Sequence, residues 1–171
     1  MDAKELRAKQ APLKERYKAD PETAKVTSQA VGRIAAEDIV CNVEGWNHDI
    51  VAGLHGSTGG DGTQACSADL LLQALVACAG VTLKSVATAM GVHLRDAAIT
   101  AEGDWDARGT LGLSKETPVG LSGVRLRFDL DTDADRATVD KLIQLTERFC
   151  VIYQTLKAPP SVSVEIHGGV E

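Results

Sequence analysis

Chemistry in this chain has to come from its thiols. Its four cysteines, Cys41, Cys66, Cys78 and Cys150, lie far apart with no C-x-x-C spacing, so any pair that acts together must be assembled by the fold. The thiolate is the nucleophile, and a cysteine becomes reactive only where its surroundings favour the negative charge. Cys78 lies in an apolar run, which raises a thiol pKa and makes a packed, inert cysteine the plain reading. The nearest cation in sequence, Lys84, falls on a different face of the same expected helix, so an activating Arg must come from elsewhere. Cys150, in Glu-Arg-Phe-Cys-Val-Ile-Tyr, sits where two expected helices meet. A helix N-terminus and Arg148 can both favour its thiolate there, and a packed core cysteine is the alternative. Cys41 falls on an expected strand and Cys66 just before a helix. Both read as structural.

Other polar clusters offer less. Gly-Leu-His-Gly-Ser-Thr-Gly-Gly-Asp-Gly at 53–62 lacks the Gly-Lys-Ser/Thr of a phosphate loop, and reads as a mobile loop near the site. His55 and Asp61 within it could touch a substrate, although ordinary loop polarity is the simpler account. His48, His93 and His167 share no ligand spacing with each other or with the cysteines, so neither a metal nor another cofactor is expected. Glu147 and Arg148 form at most a surface pair.

The charge balance narrows the class of partner. A formal charge of −6 on 171 residues argues against a phosphate-tracking surface. The only aromatics, Tyr17, Trp46, Trp105, Phe128, Phe149 and Tyr153, are too scattered for a base-stacking platform. Lys and Arg crowd the first 25 residues but are interleaved with Asp and Glu, as on a solvated helix face. No nucleic-acid partner is expected. The N-terminus has no apolar signal-like run, and a cytoplasmic location follows as the default.

The elements that must position the thiols follow from hydropathy. Residues 3–18 predict a short helix interrupted by Pro12, and 1–23 as a whole read as an extension to a single domain over 24–171. Three strand-like runs follow at 24–34, 38–44 and 48–54, with Gly45-Trp46-Asn47 as a tight turn. Residues 68–90 predict a central helix, capped by Ser67, closed by Gly91 and buried on most faces. Its apolar stretch is interrupted at Gln73, Gly80 and Thr82, too soon for a bilayer span of about 20 residues, so no membrane contact is expected. Strands are predicted at 97–108, 124–131 and 161–166, with helices from Thr132 or Asp133 to Phe149 and over 151–156. The pattern is α+β with a mostly antiparallel sheet.

Two segments taken together point further. Asp-Leu-Leu-Leu-Gln-Ala-Leu-Val-Ala-Cys at 69–78, followed about 70 residues later by Glu-Arg-Phe-Cys-Val-Ile-Tyr-Gln-Thr-Leu, resembles the OsmC/Ohr family. That family carries a Pro-x-Glu-Leu-Leu-Leu-Ala-Ala-Leu-x-x-Cys helix and a second cysteine motif downstream. The order of elements matches over roughly residues 24–168. Here Ser67 replaces the proline, Asp69 replaces the glutamate, and Val151 stands where many relatives have proline.

The resemblance implies a thiol-dependent peroxidase for organic or fatty-acid hydroperoxides. Cys78 would be the peroxidatic and Cys150 the resolving cysteine. The carboxylate that holds an Arg against the thiolate would be Asp69, and Arg33 is the expected Arg. An external dithiol would restore the thiols. The implied fold is an intertwined homodimer, its sheets wrapped around central helices and its sites at the subunit interface. The rival is a non-catalytic member that binds an apolar small molecule in the same cavity. A weaker third reading is a redox-switched regulator.

Overall fold

Alternating side chains build the longer of the chain's two sheets. In the sequence from Val124 to Leu130 every second residue is apolar, and β6 (Gly123–Thr132) turns Leu126, Phe128 and Leu130 to one face. It pairs antiparallel with β5 (Leu94–Asp104), Ile99 opposite Phe128 and Ala101 opposite Leu126. The other face carries charge: Arg125 binds Glu102 and Asp104, while Arg95 binds Asp131 and Asp133. These exposed pairs lower the pKa of Asp104 and Asp131, because each carboxylate accepts hydrogen bonds from a guanidinium. They fix the register of the ribbon more than its stability.

The computed structural model describes residues 1–45 and 47–168. Its order of elements is α1 (Ala3–Ala19), a 3-10 turn, β1 (Gly32–Ile34), β2 (Cys41–Val43), β3 (Ile50–Gly53), β4 (Ala65–Cys66), α2 (Ser67–Met90), β5, α3 (Ala107–Thr110), β6, α4 (Arg136–Phe149) and α5 (Val151–Lys157). The first four strands form a small sheet in that spatial order, antiparallel except for the β3–β4 pair. α2 and α4 cover the apolar face of β5–β6. Leu83, Val86 and Ala87 of α2 meet Leu142 of α4 there, with Ile99, Phe128 and Leu130 beneath. Leu75 and Ala79, one and two turns earlier on α2, meet Cys150 at the other end of the same layer.

Caps define the helix ends. Asp2 and Glu5 close a capping box on α1, Asp135 accepts the Thr138 N–H at the start of α4, and Gly91 ends α2 at φ +70. α2 begins at Ser67 itself, so the residue expected to cap it is its first helical residue, and Cys66 occupies the cap position without a side-chain bond.

Four expectations are corrected. α1 runs straight through Pro12, because the carbonyl deprived of its partner belongs to Ala8, which is exposed to water. The three N-terminal strands are shorter than their expected runs, since only residues 32–34, 41–43 and 50–53 find a partner strand within the chain. Residues 161–166 form no strand: Val162, Val164 and Ile166 are 81–89% exposed and no neighbouring strand pairs with them. α2 is buried on one stripe only, through Leu75, Ala79, Leu83, Val86 and Ala87, and its other side leaves Leu71 and Val81 exposed. The expected turn at 45–47 includes Trp46, which lies outside the described residues.

By length and composition α2 could cross a bilayer, despite the interruptions noted in its sequence. Here it packs against β5, α4 and α5 of its own chain, as a core helix does. Leu142, fully buried between α2 and α4, is the test of that core. Leu142→Ala is expected to cost about 2–5 kcal/mol in urea unfolding, with the slope unchanged.

Candidate functional site: a thiol pair between two helices

The site is built where α2 passes the junction of α4 and α5. Cys78 lies on α2 at the edge of its buried stripe, and Cys150 is the residue between the two later helices, serving as N-cap of α5. The chain reverses there because Cys150 leaves helical geometry, at φ −75 and ψ 110, while its sulfur accepts the Tyr153 N–H at 3.5 Å. Cys150 is 1% exposed and packs with Leu75 and Ala79, whereas Cys78 is half-buried against the same cluster. Both thiols are free.

Their electrostatics differ although they share one cluster. Partial burial pushes the Cys78 thiol up. The Ile152 N–H, the Cys150 thiol, the Val151 N–H and the Thr82 hydroxyl pull it down, and together they hold it below the ordinary cysteine value. Cys150 goes the other way. Burial raises it, the Tyr153 N–H opposes that, and the neighbouring Cys78 raises it again. The two directions are opposite within one pair: negative charge is favoured at Cys78 and disfavoured at Cys150. The first N–H groups of α5 have no partner inside the helix, which leaves them available to an anion. The sequence points those groups and Arg148 at Cys150. In the structure those groups are shared: the Tyr153 N–H binds the Cys150 sulfur, the Val151 N–H favours a Cys78 thiolate and the Ile152 N–H favours both, while Arg148 lies over the Phe149 ring, 5.4 Å from its centroid.

Thr82 is the participant that sequence reading missed. It stands one helical turn after Cys78, so the two side chains share a face, and a Cys-x-x-x-Thr spacing on an expected helix is the signal that could have found it. Asp69 and Arg33 lie elsewhere in the chain. Asp69 is nine residues before Cys78 on α2, which places it about 13 Å along the axis and half a turn round. Arg33 is an exposed residue of β1 whose guanidinium pairs with Glu44 at 3.3 Å.

The glycine-rich loop satisfies itself. His55 accepts the Ser57 N–H, Asp61 accepts from the Thr63 N–H and hydroxyl, and Asp61 is thereby held below the usual carboxylate value. The His55 ring sits edge-on to Trp105 with centroids 5.2 Å apart. Instead of a mobile loop, the segment is a turn docked on the Trp105 side chain. Among the described residues, no cluster of His, Cys, Asp or Glu could hold a metal ion.

Two cavities flank the thiol pair. One of about 630 Å³ is lined by Leu75, Leu126, Phe128, Tyr153 and Leu156 among others, with Lys157 and Glu147 on its rim. The second, of about 510 Å³, lies between α1, α2 and α4 and includes Thr82 and Phe149. Both are within the size range of small-molecule sites; the second is largely apolar in its walls, the first mixed.

The structure thus has two cysteines packed together in an α+β domain, one of them buried at a helix junction. The comparisons identify its family. The model of the OsmC-like protein family matches residues 60–165, and the chain belongs to that family. Its fold is similar to that of an OsmC-like protein from Mycoplasma pneumoniae, with a TM-score of 0.67 at 14% identity, covering 79% of this chain and 90% of that one. An organic hydroperoxide resistance protein OsmC from Legionella pneumophila superposes with a TM-score of 0.62 at 16% identity, covering 78% and 93%. The organic hydroperoxide resistance protein OhrB of Bacillus subtilis gives 0.57 at 18% identity over 78% and 93%. No curated protein matches in sequence.

The ordering of the two thiols can be measured by alkylation. The thiolate fraction, and with it the iodoacetamide rate, rises with pH through the pKa. Cys78 is therefore expected to react with a midpoint below that of Cys150, the first lowered and the second raised from the ordinary cysteine value. Thr82→Val removes one donor and should move the Cys78 midpoint upward, as read by mass mapping across a pH series.

Proposed function

We propose that the chain is a thiol-dependent peroxidase for organic hydroperoxides, with Cys78 as the peroxidatic and Cys150 as the resolving cysteine. The observation that carries this reading is that the fold packs Cys78 and Cys150 into one cluster, with ionisation favoured at Cys78 and disfavoured at Cys150. Family membership and the organic hydroperoxide resistance proteins among its structural neighbours support it.

The chemistry balances with the groups present and one external reductant. The Cys78 thiolate attacks the terminal peroxide oxygen, forming an S–O bond as the O–O bond breaks. The alkoxide leaves and takes a proton, and Cys78 becomes a sulfenic acid. The Cys150 thiol then attacks that sulfur, forming the disulfide and releasing water. Cys78 packs against the cluster that holds Cys150, so the fold keeps the two residues near each other for this second step. An external dithiol reduces the disulfide by exchange and returns both protons. Apolar walls on both sides favour a peroxide with an organic tail over hydrogen peroxide.

A homodimer is part of the same proposal. The bare side of α2, with Leu71 and Val81 exposed, and the unpaired apolar alternation of Val162, Val164 and Ile166 are surfaces that a second copy can cover. Asp69 and Arg33 face other surfaces of their own chain, so any part they take in activating Cys78 requires that second subunit.

One equivalent of cumene hydroperoxide is expected to remove two thiols rapidly, with a Cys78–Cys150 crosslink found by mass mapping. Cys78→Ser should abolish peroxide consumption. Cys150→Ser should allow a single turnover that leaves a sulfenic acid trappable by dimedone. Four unchanged thiols in the unmodified protein would remove the peroxidase reading and leave an apolar binding protein.

A further inference from the structure

The break between α4 and α5 is tied by residues that the chemistry of the thiols leaves unused. Glu147 stands one turn before Cys150 and Tyr153 one turn after it, in a Glu-x-x-Cys-x-x-Tyr spacing. In one continuous helix those two residues would lie about 9 Å apart along the axis and on different faces. The chain instead leaves helical geometry at Cys150, and both residues stand in the wall of the cavity of about 630 Å³, with Leu75 and Leu156.

Contacts across the break converge on Glu147. Its carbonyl, which in a continuous helix would accept the Val151 N–H, accepts Gln154 Nε2 at 2.8 Å. The Val151 N–H, released by the same break, favours charge at Cys78. The Glu147 carboxylate serves the Tyr153 hydroxyl. Burial raises the Tyr153 phenol above its ordinary value, and the charge of Glu147 and its hydrogen bond raise it further. Lys157 Nζ lies over the same ring, 6.0 Å from its centroid. The Tyr153 N–H reaches the Cys150 sulfur at 3.5 Å. Tyr153 is thus tied to Cys150 through its backbone and to Glu147 through its side chain. Bonds that form only in the broken geometry favour it over a straightened or frayed junction.

We propose that Glu147 and Tyr153 are positioning residues for Cys150: the link between their side chains holds the α4–α5 break in place and keeps the Cys150 sulfur seated against Leu75 and Ala79, where Cys78 can close on it. The proposal rests on the reading of Cys78 and Cys150 as a pair that forms a disulfide. Neither Glu147 nor Tyr153 touches the peroxide in this scheme. Loosening the link has opposite effects on two rates. Cys150 becomes easier for an outside reagent to reach, and slower to close on Cys78.

The experiment uses the whole chain, reduced, and two reagents. Iodoacetamide reports how often Cys150, 1% exposed, opens to solvent. Diamide reports closure of the pair without any peroxide. The Cys78 thiolate adds to its N=N bond, the Cys150 thiol attacks that sulfur, and a disulfide forms as a hydrazine leaves with both protons. Tyr153→Phe and Glu147→Ala are each expected to speed Cys150 alkylation about fivefold, the weight of one net hydrogen bond. Both should slow diamide closure by a similar factor, read as the Cys78–Cys150 crosslink by mass mapping. Glu147→Gln keeps an acceptor for the hydroxyl and should restore both rates. Leu142→Ala weakens the core away from the junction, so it should lower the urea midpoint yet leave diamide closure unchanged. Unchanged rates in Tyr153→Phe, or Glu147→Gln behaving as Glu147→Ala, would overturn the proposal. So would closure rates that follow the urea midpoint across the set. No diamide crosslink in the unmodified protein would remove the pair, and this proposal with it. Failure to consume cumene hydroperoxide defeats the peroxidase reading alone, because neither reagent is a peroxide.

Discussion

The structure depends on a helix crossing that brings two sulfurs together from distant parts of the chain. Everything else in the domain serves that crossing. The apolar face of β5–β6 is the platform on which α2 and α4 lie, and Leu142 locks them at one end. At the other end Cys150 is itself part of the core, buried against Leu75 and Ala79. The resolving candidate is thus a packing residue and a chemical one at once. That double use explains its raised pKa: the burial that holds the helix junction together also holds the thiol neutral.

Local chain geometry then differentiates two identical groups. Cys150 sits before the first turn of α5, so its own sulfur is bound by the Tyr153 N–H, while the Val151 N–H favours charge at Cys78 and the Ile152 N–H at both sulfurs. A backbone amide costs nothing in side-chain entropy to hold in place and cannot be titrated away. Thr82 adds a donor that can rotate, on the same helix and one turn along. Charge is therefore stabilised at Cys78 by dipoles within a single chain. Dipoles of this kind lower a thiol pKa less than a buried guanidinium would, which leaves room for a contribution from a second subunit.

Much of this arrangement was legible in the sequence. The alternation of Leu126, Phe128 and Leu130, the long apolar stretch after Ser67, Gly91 as a stop and Cys150 as a break between helices are all local signals, and each became the element it predicts. The strands near the N-terminus and residues 161–166 were not legible in the same way. Their apolar periodicity is real, but a strand exists only when a second strand accepts its hydrogen bonds, and periodicity does not say where that partner comes from. The same holds for α2. An all-round apolar helix predicts burial on every side, yet the chain supplies cover for one stripe and leaves Leu71 and Val81 open. Both misreadings have one cause: hydropathy reports which residues avoid water, and does not say which element covers them.

The activating environment of Cys78 was the least legible part, and the reason is chemical. A search for thiolate stabilisers in sequence looks for Arg, Lys and His, since those are the types that carry charge. Here the stabilisers within the chain are two backbone N–H groups, a threonine and another cysteine. Backbone donors have no sequence signature, and they become visible only when the fold aims a helix start at the sulfur. The cations that composition makes conspicuous went elsewhere: Arg33 to Glu44 on the small sheet, Arg95 and Arg125 to the outer face of β5–β6, and Lys14 to the cavity under α1. The long-range pairs among these organise surfaces and register, since an exposed ion pair gains more in geometry than in energy. The thiol pair, in a drier place, uses neutral donors that need no counter-charge to be buried. That division follows from the cost of desolvating charge, and it lets a site with so few ionisable groups keep one thiol ready to ionise beside another that is not.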